Sequence, residues 1–69
     1  MNRLLKQAQD NVYTEWSRPV FEKLGARFQR ALLMEAILAI AALQDEEVPD
    51  AKVRALVEEG YLWAAGVES

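Results

Sequence analysis

Cysteine and histidine are both missing from this chain of 69 residues. Without thiols there is no disulfide, no thiolate metal site and no cysteine nucleophile. Without imidazole the commonest general acid/base and the commonest transition-metal ligand are gone as well. Glycine and proline are scarce, at 3 and 2 residues, so Pro19, Gly25, Pro49, Gly60 and Gly66 are the only strong punctuation. Long apolar runs are short of what a bilayer needs: the longest, Ala31 to Leu43, holds thirteen residues and has Glu35 inside it, against roughly 20 for a span. The opening Met1-Asn2-Arg3-Leu4-Leu5-Lys6-Gln7 turns polar at once and lacks the apolar stretch of a secretion signal. These absences predict a cytoplasmic protein with no membrane contact.

The run from Ala31 to Leu43 is the most informative part of the sequence, because Glu35 is its only charge. A helix that is apolar nearly all the way round has to be covered nearly all the way round. One small domain, residues 1–69, has little to cover it with: a chain this short buries only about 60% of its unfolded surface. Such a core supplies roughly 3–5 kcal/mol unless staples or oligomerisation add to it. With disulfides excluded, oligomerisation is the natural supplement, and the expected fold is all-α: about three helices with a long central helix, paired as a helical homodimer.

The first helix is predicted from about Asn2 to Trp16, with Leu5, Ala8, Val12 and Trp16 on one stripe. The sequence Trp16-Ser17-Arg18-Pro19 interrupts it, and Pro19 suits the first turn of the next helix. That second helix is predicted from about Pro19 to Leu43, with a break at Gly25 as the competing reading. One of its stripes carries Phe21, Leu24, Phe28, Ala31, Glu35, Ala39 and Ala42; the opposite face carries Leu33, Met34, Ile37 and Ile40. The polar stretch from Gln44 to Asp50 is a loop. A third helix is predicted to begin near Pro49 or Asp50, where an aspartate can cap the free amides, with Gly60 as a left-handed stop and one or two further helical turns over Tyr61 to Val67 as the competing reading. Tyr61 and Trp63 are expected to dock on the core.

Few residues offer chemistry. Ser17, Thr14 and Ser69 have no partner base at a recognisable spacing. The acids Asp45, Glu46, Glu47 and Asp50 lack the glycine turn and alternate spacing of a calcium loop. No enzyme activity, cofactor or metal is expected. Leu56 to Leu62 resembles, locally, the end of a helix in winged-helix DNA-binding domains, but no glycine-rich wing follows it and no family is assigned on it.

What is left is association. The net charge of −3 divides into +3 through Met34 and −6 from Glu35 onward, a split that suits either a basic contact surface or two halves attracting one another. The expected protein-interaction seam is Leu33, Met34, Ile37 and Ile40. Glu35 has no cation within a helical turn on its own helix; Arg27 or Arg30 of an antiparallel second copy is the expected partner. The expected function is that of a small adaptor, inhibitor or regulator acting by helix-mediated protein–protein association, as a homodimer with a further protein partner. The alternative is a dimeric DNA-binding transcriptional regulator using Lys23, Arg27 and Arg30 as a basic contact face. The acidic balance disfavours nucleic acid.

Overall fold

The computed structural model describes residues 2–64, with side chains through Tyr61. It holds four helices and, among the described residues, no strand: α1 (Arg3–Trp16), α2 (Arg18–Lys23), α3 (Ala26–Leu43) and α4 (Asp50–Ala64). The α1 start is fixed by Asn2, whose Oδ1 accepts from the N–H groups of Leu4 (2.8 Å) and Leu5 (3.3 Å). Two otherwise orphaned amides are thereby satisfied. The helix ends where Ser17 adopts φ 52°, and Pro19, in the first turn of α2, needs no N–H acceptor there.

The central helix is shorter than the sequence predicts. Leu24 (ψ 151°) and Gly25 (ψ 153°) are both extended, which divides the expected Pro19–Leu43 helix into α2 and α3. Two side chains hold this break. Phe21 is fully buried and meets the Tyr13 ring edge-on, centroids 5.4 Å apart, so α2 is bent back over α1. Gln29, buried near the start of α3, donates from Nε2 to the carbonyls of Leu24 (2.8 Å) and Glu22 (3.4 Å), which α2 leaves unpaired at its end.

At the other end of α3, Asp45 donates to the Ala42 carbonyl (3.1 Å) and Glu46 to that of Ala41 (2.8 Å), with Asp45 at φ 53°. This is a Schellman turn built on an aspartate instead of a glycine. The loop that follows returns the chain to α4 at Asp50, as the sequence predicts.

α3 lies between α1 and α4 and packs on both. Leu4, Leu5, Ala8 and Val12 of α1, Leu33, Ala36, Ile37 and Ala41 of α3, and Val53, Leu56 and Val57 of α4 form one core. Gly60 corrects the expected stop: α4 runs through it to Ala64. A Cβ at Gly60 would lie 2.9 Å from Leu5 Cδ1 and 3.4 Å from Leu33 Cδ1, so a side chain here would have to displace the end of the fully buried Leu5 and crowd Leu33. Tyr61 packs on the core as predicted; the side chain of Trp63 lies outside the described residues.

Candidate functional site

The thirteen-residue apolar run divides lengthwise into two faces. Leu33 and Ile37 are completely buried within their own chain, Ile40 is half-buried, and Met34 is 37% exposed. The expected seam is therefore corrected: Leu33 and Ile37 are closed to solvent, Ile40 is partly covered and Met34 is open, because α1 and α4 together cover the side of α3 that carries the bulkiest aliphatic groups. The outward side carries Phe28 (63% exposed), Ala31, Met34, Glu35, Leu38 (48%), Ala39 and Ala42. Helical spacing joins Phe28, Ala31, Glu35, Leu38 and Ala42 into one stripe.

A groove runs beside this stripe between α3 and α4. One part, about 390 Å³, is lined by Arg30, Ala31, Met34, Arg54, Val57 and Glu58; the next, about 220 Å³, shares Met34 and Arg54 and adds Leu38, Asp50 and Val53. The first part is walled almost wholly by apolar surface, the second by polar and apolar surface in similar measure, and the rim carries both charges.

The basic residues do not form the continuous stripe expected of them. Lys23 belongs to α2 and Arg27 and Arg30 to α3, with the extended pair Leu24-Gly25 between. Arg30 is engaged: its Nε donates to Glu58 Oε1 at 2.9 Å, and its guanidinium lies 4.3 Å from the centroid of the Tyr61 ring. Lys23 and Arg27 are exposed.

Glu35 is exposed and, with Glu15, lines a shallow recess of about 120 Å³ between α1 and α3, whose wall includes Trp16 and Ala39. No cation lines that recess. Tyr13 is held above its ordinary pKa of 10.0, first by burial and further by the Glu22 carboxylate, with Arg18 opposing. Its hydroxyl is buried without a hydrogen-bond partner, which makes it part of the packing beneath α2.

Phe28, Leu38 and the groove wall at Val57 are absent from the expected interaction set. The signal for the first two was the spacing of Phe28, Ala31, Glu35, Ala39 and Ala42, which marks one face; which face turns outward depends on how α1 and α4 pack, and spacing within α3 does not contain that. No helix among the described residues is long and apolar enough to cross a membrane. No family model, no curated protein and no solved structure matches this chain.

Proposed function

We propose that this chain is a non-enzymatic adaptor, inhibitor or regulator that works by helix-mediated protein–protein association, and that it is a homodimer through the outer face of α3. The observation that carries the reading is the exposure of Phe28, Met34 and Leu38 in line with Ala31, Ala39 and Ala42 on a helix whose opposite face is already the core. Scattered exposed apolar residues are normal; a contiguous stripe beside an apolar groove marks an interaction surface.

Magnitudes decide how strong the pairing is. Covering a roughly half-exposed Phe, Met or Leu is worth about 1 kcal/mol, so three such residues from each of two copies supply about 6 kcal/mol. Association costs about 4–15 kcal/mol in lost freedom. The stripe alone therefore gives weak pairing, and polar contacts or a groove occupant have to strengthen it.

Sedimentation equilibrium across micromolar to millimolar protein tests the reading. The expected result is a concentration-dependent dimer that Leu38→Lys converts to a helical monomer. A wild-type chain that stays monomeric throughout overturns it.

A further inference from the structure

We infer that Leu24-Gly25 is a two-state hinge: when it becomes helical, residues 18–43 form one helix, and α1 with α2 is exchanged for the same unit of a second copy. This domain-swapped pairing is separate from the outer-face pairing proposed above and uses none of its contacts.

The hinge is extended without a local reason to be so. Gly25 has φ −62° and ψ 153°, a conformation open to any residue, and a Cβ there would meet nothing within 4 Å. α3 begins without a side-chain cap and without an acid in its first turn. Arg27 stands there instead, where the helix dipole disfavours a cation. A helix running on from α2 abolishes this end and pairs its orphaned amides. What opposes it is Gln29, whose Nε2 donates to the carbonyls of Leu24 (2.8 Å) and Glu22 (3.4 Å). A continuous helix gives those two carbonyls to the N–H groups of Phe28 and Ala26. The same acceptors therefore have two alternative sets of donors, one for each state.

A chain that straightens the hinge cannot keep its own core. α1 runs back along α3: Gln44 donates to Gln7 (2.8 Å), and Trp16 shares a recess with Leu32 and Glu35. In a continuous helix Ser17 stands roughly 22 Å from Leu32 along the axis, at about 1.5 Å per residue. α1 then loses its seat, and Leu5, Ala8 and Val12 on one side and Leu33 and Ile37 on the other lose their cover. The surface that fits the empty seat is α1 of another copy in the same state. Phe21 and Tyr13, with ring centroids 5.4 Å apart, both belong to the exchanged unit and stay together. Only the hinge changes, and each core interface is remade between chains.

Gly25 is where the two states respond in opposite directions. Proline fits the hinge as it stands: φ is −62°, Leu24 before it is extended, as a residue preceding proline prefers, and among the described residues the Gly25 N–H donates no hydrogen bond. Within a helix, alanine is favoured over glycine by roughly fivefold and over proline by roughly a hundredfold. Each chain is refolded from urea at millimolar concentration, diluted, and separated by size-exclusion chromatography. Exchange requires α1 to leave its seat, so a swapped dimer survives dilution as a separate, slowly interconverting peak.

The expected yield of that peak is highest for Gly25→Ala, lower for the wild type and lowest for Gly25→Pro, and adding Leu38→Lys to Gly25→Ala leaves it unchanged. Because the chain has no cysteine, Gln7→Cys and Gln44→Cys chains, each also carrying Gly25→Ala, can be refolded together. A short bis-maleimide is expected to link position 7 of one chain to position 44 of the other within the slow dimer. A slow dimer that is equally abundant with alanine and proline, absent with alanine, or free of that link overturns the hinge and leaves outer-face pairing standing. Loss of rapid, concentration-dependent pairing overturns the outer-face reading and leaves the hinge standing.

Discussion

Asp45 occupies a left-handed backbone position, φ 53°, that the turn after α3 requires. For an L-residue with a Cβ this conformation is uphill by roughly 1–2 kcal/mol, partly relieved for Asp by its short polar side chain. Asp45→Gly is expected to stabilise the fold by about 0.5–1 kcal/mol, once the greater freedom of glycine in the unfolded chain is subtracted; the urea midpoint measures it. Gly60 presents the reverse case. Any Cβ there meets the end of Leu5, a side chain with no exposed surface of its own, and approaches Leu33 and the buried Nε2 of Gln9. Gly60→Val should therefore destabilise by about 1–3 kcal/mol through overpacking, despite removing a glycine from a helix. Unchanged thermal melting of this variant would mean that α4 is farther from α1 than the structure places it.

At the scale of the helices, local signals and long-range packing had different reach. The starts of α1 and α4 were legible because Asn2 caps its own first turn and Pro49-Asp50 suits the entry of a helix, and the loop between α3 and α4 because Pro49 and Asp45 disfavour a helix interior. The split between α2 and α3 was legible only as an alternative at Gly25. What decides it is Phe21 reaching Tyr13 and Gln29 reaching back to Leu24, both contacts between elements. The outward face of α3 is likewise set by contacts between elements. Leu33, Ile37 and Ile40 are the more hydrophobic face, so they pack against their own chain first, and the alanine-rich side with Glu35 is what is left for solvent or a partner.

For the whole molecule, the division of α3 into a core face and an outer face separates folding from association. Ile37 has no exposed surface, and an aspartate there would bury a charge with no cation among the residues packed around it. Since a core of this size holds roughly 3–5 kcal/mol, Ile37→Asp is expected to abolish the cooperative thermal transition seen by circular dichroism. Its neighbour on the helix, Leu38, is 48% exposed, and Leu38→Lys should leave that transition in place. A folded, dimeric Ile37→Asp chain would contradict the assignment of the two faces.

The place of α3 between α1 and α4 also bears on how the chain opens. α2 is six residues long and anchored mainly through Phe21, and α1 and α4 each have one side toward water. α3 cannot lose its backbone hydrogen bonds around Leu33 to Ala41 until both neighbours have left it. In hydrogen–deuterium exchange, those central amides should be released only by global unfolding, while the amides of α2 exchange through a local opening that leaves the three long helices together.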